Sequence, residues 1–198
     1  MCGICGIYNY KKDKRVSINT IERITSTMIH RGPDDSGSYI SKNIGLGFRR
    51  LSIIDLSVSG HQPMTDSKKN IWVVFNGEIY NFIELRKRLE SNGYCFRSKS
   101  DTEVIVNGYD KWGEKLLDHL DGMFGLAIWD EKKQKLVIAR DRMGIKPIYY
   151  TYNSNGIIFG SEIKPIISAM KIKPDISSDG MSLFLRYRYT PAPHTIYK

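Results

Sequence analysis

The second residue of the chain is a cysteine, in the run Met1-Cys2-Gly3-Ile4-Cys5-Gly6-Ile7-Tyr8. With Met1 removed, the Cys2 thiol (ordinary pKa about 8.5) stands beside its own α-amine (about 7.7 to 8.0), so one residue supplies both nucleophile and base. That pair is equipped for acyl transfer, which also needs donors for a developing oxyanion. Asn76-Gly77 offers an amide side chain next to a backbone N–H. Asn-Gly is more often a hairpin turn, but here Glu78 follows and Asn81 opens a helical pattern instead of a return strand. A free amino acid bearing a side-chain amide would need a cation for its carboxylate and an anion for its ammonium. Arg50 has the bidentate fork that a carboxylate prefers, and Glu78 and Asp101 carry the negative charge. Taken singly, each is a surface charge or a helix cap. Their value comes from the set.

Strands and helices must bring these residues together. Alternation over residues 4–10 predicts a first strand, ended by the charged cluster 11–15. Ile18, Ile21, Ile24 and Met28 recur at helical spacing, Asn19 and Glu22 read as a capping box, and Gly32-Pro33 stops the helix. Residues 37–41 and 44–50 predict a strand pair around a polar turn at Lys42-Asn43, running on through residues 51–55, and residues 56–69 predict a loop. The apolar run 71–75 predicts a central strand covered on both faces that delivers Asn76-Gly77-Glu78 at its end. Asn81 and Glu84 read as a second capping box on a helix buried through Phe82, Leu85 and Leu89 and closed by Gly93. Asp101 stands as the N-cap of a further helix through Val104, Ile105 and Tyr109, and Leu116, Leu117 and Leu120 add another turn or two. Four strands follow, at 123–130, 136–140, 148–152 and 157–160, on short polar turns of the kind that build antiparallel sheet. Strands grouped at both ends with helices between predict an α+β fold with antiparallel sheets, not an alternating βαβ one.

The chain has 198 residues, 41% apolar and 26% charged, enough for one large domain. No run of eighteen apolar residues suggests a membrane span, the first thirty residues contain no apolar signal core, and the second residue is not the glycine that myristoylation requires. Thirty basic against twenty-one acidic residues give +9, which invites a nucleic-acid reading. The basic residues fall instead in short clusters at turns and on helix faces, without an aromatic-plus-basic motif, so the charge reads as surface solubility, with neither nucleic acid nor membrane as partner. Three cysteines, Cys2, Cys5 and Cys95, without an export signal read as reduced and cytoplasmic. Cys2-x-x-Cys5 matches half a zinc site or a redox pair. The four histidines lie scattered with no second ligand pair, and a redox pair should open a helix, so no metal is expected and Cys5 reads as a small buried hydrophobe.

Six motifs, Met1-Cys2-Gly3-Ile4, His30-Arg31-Gly32-Pro33-Asp34, Arg50-Leu51-Ser52-Ile53-Ile54-Asp55, Asn76-Gly77-Glu78-Ile79-Tyr80-Asn81, Ser100-Asp101-Thr102-Glu103 and Arg140-Asp141-Arg142-Met143-Gly144-Ile145-Lys146-Pro147, occur in order along almost the whole chain. Together they resemble the glutaminase domain of glutamine-dependent asparagine synthetase, a class II glutamine amidotransferase of the N-terminal nucleophile hydrolase type. The resemblance implies a four-layer αββα sandwich and hydrolysis of L-glutamine to glutamate and ammonia through a Cys2 thioester. It implies that Asn76 and Gly77 form the oxyanion hole, that Arg50 holds the glutamine carboxylate, and that Glu78 and Asp101 hold its α-amino group. Leu51, Ser52, Ile53 and Ile54 are expected to line the substrate site, with Arg49 structural. On this reading residues 1–190 are the glutaminase domain, needing no cofactor, and 191–198 begin the passage to a covalently joined synthetase domain that would use ATP and Mg2+ to amidate aspartate. That domain's Ser-Gly-Gly-x-Asp-Ser pyrophosphate loop does not occur in the chain. Exposed apolar residues at 143–145 and 183–189 are the expected docking face, and a homodimer is an open option. Rival readings keep the fold with another ammonia acceptor, in polysaccharide or sugar amidation, or make the chain a catalytically silent docking module, which an unprocessed Met1 would favour.

Overall fold

The structure, a computed structural model, describes residues 1–52, 58–170 and 172–198. It divides into two units, Met1–Ser168 and Ala169–Lys198. In chain order the first unit runs β1 (Gly3–Asn9), α1 (Ile18–Ser26), β2 (Asp35–Ser41), β3 (Ile44–Arg50), β4 (Met64–Thr65), β5 (Ile71–Ile79), α2 (Phe82–Glu90), α3 (Asp101–Trp112), α4 (Leu116–His119), β6 (Gly122–Asp130), β7 (Lys135–Arg140), β8 (Tyr149–Asn153) and β9 (Gly156–Gly160), with α5 (Ile163–Ala169) at its end. One sheet has the order β2-β3-β1-β9-β8 and the other β4-β5-β6-β7, with every described strand pair antiparallel.

Period-two alternation decides which side chains meet between the sheets. Ile4, Ile44, Leu46, Phe48 and Phe159 from the first sheet pack on Val74, Ala127 and Trp129 from the second, all buried. The outer face of the second sheet, through Val73, Phe75, Ile79, Leu126 and Ile128, carries α2 and α3 by way of Leu85, Leu89, Val104, Ile105 and Tyr109. The outer face of the first sheet works differently, because β3 reads Ile44-Gly45-Leu46-Gly47-Phe48 and its outward positions are glycine. The row without side chains lets α1 lie close against the strand. A Cβ on Gly47 would overlap Thr25 Oγ1, and one on Gly45 would stand 2.6 Å from Ile21 Cγ1. Helix, sheet, sheet and helix make the αββα sandwich that the motifs imply.

Several local expectations are corrected. β5 runs on through Asn76, Gly77 and Glu78 to Ile79, paired with β6 throughout, so the Asn-Gly pair lies inside the strand and not at its end. The N-cap of α1 is Ser17, with Asn19 already inside the helix. Asn81 does cap α2 in position, but its side chain accepts from Asp121 N (3.1 Å) and donates to His119 O (2.9 Å), so tertiary partners displace the capping box. Ser100, not Asp101, is the N-cap of α3, its Oγ accepting from Thr102 N at 3.1 Å. Within the predicted loop, 58–60 form a 3-10 turn and β4 adds a short edge to the second sheet. The continuation of β3 through 53–55 falls outside the described residues. The last four predicted strands are all present and antiparallel, β6 and β7 in one sheet, β8 and β9 in the other.

In the second unit, α6 (Ser178–Tyr187) is capped by Ser177, whose Oγ accepts from Gly180 N at 3.1 Å. Gly180 lies against the Thr195 carbonyl, and Ile176 bridges to Tyr197.

Candidate active site

Cys2 precedes β1, and the alternation of that strand sends its two cysteines to opposite faces. Cys2 packs at the margin of the layer between the sheets. Cys5 faces α1, fully buried, with Sγ 3.4 Å from Thr25 Oγ1, and its burial pushes the thiol up to about 12. Two thiols on opposite faces of one strand cannot bridge or share a metal, which removes the redox and zinc readings on geometric grounds. Among the described residues no group of three or more His, Cys, Asp or Glu could hold a metal ion.

The Cys2 sulfur lies 3.5 Å from Leu51 O and accepts from Leu51 N at 3.4 Å. Burial pushes the Cys2 thiol up; the Leu51 hydrogen bond, the terminal ammonium, Arg50 and Arg31 pull it down without cancelling that. The thiol therefore needs a base to become a nucleophile. Its backbone is held by Arg31, whose Nε donates to Cys2 O at 2.9 Å.

A cleft opens beside the sulfur, lined by Cys2, Phe48, Arg50 and Leu51 and by Gly77, Glu78 and Asp101, with Gln62, Ser100 and Thr102 completing the wall. Arg50 is buried at the end of β3. Arg49 points elsewhere, its Nε donating to Gly32 O at 2.8 Å. Asp101, in the first turn of α3, accepts from Ile79 N at 3.1 Å. Burial, and secondarily the neighbouring Glu78, push its carboxyl up to about 6 against the pull of the Ile79 and Thr102 N–H groups.

β5 has one side paired with β6, and beside the cleft its other edge faces side chains instead of a strand. Phe75 N donates to Gln62 Oε1 at 2.7 Å and Ile79 N to Asp101 Oδ2. Alternation puts the Gly77 N–H between them on that same edge, toward the cleft. Gly77 also has to be glycine, because a Cβ there would overlap Met123 O on β6. Asn76 has the parity of Val74 and so faces the layer between the sheets, the layer that Cys2 borders from the opposite side. It is buried, and its Nδ2 has no hydrogen-bond partner among the described residues. An unmet buried donor is costly, and such a donor is what an oxyanion would satisfy.

Of the residues picked out by sequence, Cys2, Arg50, Leu51, Gly77, Glu78 and Asp101 share the cleft; Asn76, next to Gly77 on β5, is not among the residues that line it. Ser52 does not line it; its N–H is held by Asp34 Oδ2 at 2.8 Å. Ile53 and Ile54 lie outside the described residues. Sequence reasoning missed Gln62, buried, which joins the β5 edge to α3 by donating to Thr102 Oγ1 at 3.1 Å. Nothing in its local sequence signals this. It also missed Arg31, although the His30-Arg31-Gly32 motif carried the hint.

The sequence is 41% identical over 184 residues to asparagine synthetase [glutamine-hydrolyzing] 3 of Bacillus subtilis, covering 92% of this chain and 30% of that protein. It is 38% identical over 198 residues to asparagine synthetase [glutamine-hydrolyzing] 1 of the same organism, covering 99% of this chain and 31% of the relative. The chain thus spans under a third of the length of these relatives. Among solved structures, the glutamine phosphoribosylpyrophosphate amidotransferase of B. subtilis superposes with a TM-score of 0.71 at 18% identity, over 85% of this chain and 43% of that one, a likeness of fold alone. The family model for a glutamine amidotransferase domain matches residues 1–198. Because that match takes in the chain from its first residue to its last, the chain belongs to the glutamine amidotransferase domain family.

Proposed function

We propose that the chain hydrolyses L-glutamine to glutamate and ammonia through a thioester on Cys2. The observation that carries this reading is the cleft itself, which sets one thiol beside a buried guanidinium and two carboxylates. That set matches a thiol-labile amide flanked by the two charged ends of a free amino acid. Arg50 takes the α-carboxylate, and Glu78 with Asp101 takes the α-ammonium. Leu51 bounds the site next to the sulfur. With Met1 removed, the Cys2 amine takes the thiol proton, Sγ attacks the side-chain carbonyl carbon, and the Asn76 Nδ2 and Gly77 N–H receive the oxyanion. The C–N bond breaks as the amine returns the proton to the leaving ammonia. Water, activated by the same amine, then hydrolyses the thioester to glutamate and frees the thiol. One oxyanion donor is typically worth about 2.7 to 4 kcal/mol, enough to account for a buried Asn kept without a resting partner.

On this reading residues 1–190 are the glutaminase domain and 191–198 lead into a covalently joined synthetase domain that uses ATP and Mg2+ to amidate aspartate with the released ammonia, in the cytoplasm. Support comes from the names of the relatives, glutamine-hydrolysing asparagine synthetases. The test is ammonia and glutamate release by the chain whose intact mass shows Met1 removed. Cys2→Ala should abolish both products and keep the thermal melt, whereas Cys5→Ser should keep most activity. Ammonia release undiminished in Cys2→Ala would remove the thioester route.

A further inference from the structure

We propose that Glu162 is a positioning residue for the nucleophile, holding the Cys2 backbone through Arg31. The proposal rests on the reading of Cys2 as the nucleophile. Its starting point is where the β1–β9 ladder stops, at the pair Cys5 and Gly160. On that side Cys2, Gly3 and Ile4 lie beyond the last paired residue. β3 holds Gly3 and Ile4 from the other edge through Arg49 and Phe48, while Cys2 has no rung in either ladder, and a terminus tied down on one edge only is prone to fray. A nucleophile there would sample positions well beyond the reach that reaction requires.

The two residues after β9 take over. Ser161, 1% exposed, replaces the missing rungs: its N–H donates to Ile4 O at 2.8 Å and its Oγ accepts from Ile4 N at 3.0 Å. Glu162 comes next, immediately before α5, where the helix N-terminus favours a negative charge. It reaches instead to the segment after α1. Its Oε1 accepts from Arg31 Nη1 at 3.0 Å and lies 3.0 Å from His30 Nε2. Arg31 then donates from Nε to Cys2 O at 2.9 Å. The Arg31 side chain is 9% exposed and its Nη2 is buried without a partner among the described residues. The guanidinium is therefore oriented by two groups, the carboxylate behind it and the Cys2 carbonyl in front. Removing the carboxylate leaves a largely buried cation to find another partner, and the carbonyl loses a fixed donor. His30 is about half exposed and adds little to the hold. Burial raises the Glu162 carboxyl, but the bonds from Arg31 and His30 outweigh it and leave the group below the ordinary carboxylate range, so it is an anion under working conditions.

The experiment compares wild type, Glu162→Gln and Glu162→Met in the 198-residue chain, each with its processing state checked by intact mass and its fold by thermal melting. Gln keeps a neutral acceptor for Arg31, and Met keeps the length without one. Two rates are read: glutamine hydrolysis, and alkylation of Cys2 by iodoacetamide followed by mass. Wild type should exceed Gln, and Gln should exceed Met, in both kcat and alkylation rate. KM for glutamine should stay unchanged, with the Met variant about 10- to 100-fold down in kcat, the scale expected when a reacting atom is misplaced by about 1 Å. Equal kcat in wild type and Met overturns the proposal, as does a raised KM with kcat intact, which would assign Glu162 to substrate binding. If the Met variant does not melt cooperatively, Gln decides alone, and wild-type values for it overturn the proposal. If wild type releases no ammonia from glutamine, the proposed function falls, while the alkylation order still tests the clamp.

Discussion

Asp101 shows how one residue in the cleft trades stability for binding. Its carboxyl is pushed to about 6, chiefly by burial. In the unfolded chain it titrates at its ordinary value, so between about 3.8 and 6 the folded state binds more protons and stability falls as pH rises through that window. Above it, the ionised carboxylate remains a cost to the fold. Asp101→Asn should therefore raise the unfolding free energy at pH 7.5, on the order of 1–3 kcal/mol, read by urea titration. The same change should raise the glutamine KM at least about tenfold, since a charged partner for the ammonium is lost. In the wild type, kcat/KM for glutamine should drop as pH falls through about 6 and the Asn variant should lack that step. A variant that gains no stability, or one that keeps both the step and its KM, would take Asp101 out of the ammonium site.

The helix α1 and strand β3 are matched by what β3 lacks. Glycine in a strand costs about 0.5–1 kcal/mol relative to alanine, so Gly47→Ala would stabilise an open strand. Here the added Cβ would overlap Thr25 Oγ1 and stand 2.8 Å from Cys5 Sγ. Overpacking of this kind costs typically 1–3 kcal/mol, which exceeds the strand gain, so the expected net effect of Gly47→Ala is a loss of about 1–2 kcal/mol, checked by urea unfolding. A neutral or stabilising outcome would mean that α1 can lift without penalty. The alternation Ile-Gly-Leu-Gly-Phe was visible in the sequence as a strand. That its outer face was reserved for a helix was not, because glycine marks turns, bulges and close approaches alike. The caps were misread for a related reason: Asn19, Asn81 and Asp101 all have capping side chains, and the choice among neighbours was made by partners as distant in sequence as Asp121 for Asn81 and Ile79 for Asp101.

Across the whole molecule the informative surface is apolar. Met143 and Ile145 are 84% and 54% exposed in the first unit, and Leu185 and Tyr189 are 73% and 61% exposed in the second. The turn bearing Met143 and Ile145 is rigid: Asp141 accepts from Phe124 N, Ile145 N and Lys146 N at 3.2, 2.8 and 3.0 Å. Burial raises that carboxyl, and the three N–H bonds outweigh it and hold it below the ordinary range. A stiff turn that presents apolar side chains suits a docking role. The chain matches a glutamine amidotransferase domain over residues 1–198 and spans under a third of the length of its synthetase relatives. By itself it should release ammonia from glutamine, make no asparagine when given aspartate, ATP and Mg2+, and hydrolyse glutamine at a rate indifferent to ATP. Amino-acid analysis and ammonia release check all three, and asparagine formed by this chain alone would overturn the division of labour.

What the sequence by itself determined was chemistry and class. A cysteine at the second position, an Asn-Gly pair, an arginine at a strand end and two carboxylates pointed to acyl transfer from the side-chain amide of a free amino acid. The spacing of apolar residues predicted an α+β fold with antiparallel sheets, because residue type and periodicity are local properties of the chain; the sandwich and the glutamine substrate were implied by the resemblance of the motifs. What only the tertiary structure decided was how these parts meet. Strand parity sent Cys2 and Cys5 to opposite faces, β5 continued through the Asn-Gly pair because β6 paired with it to Ile79, and Gln62, Arg31 and Glu162 acquired roles through partners 13 to 131 residues away. No local signal encodes such pairings, since each depends on two distant segments being placed side by side by the packing of everything between them.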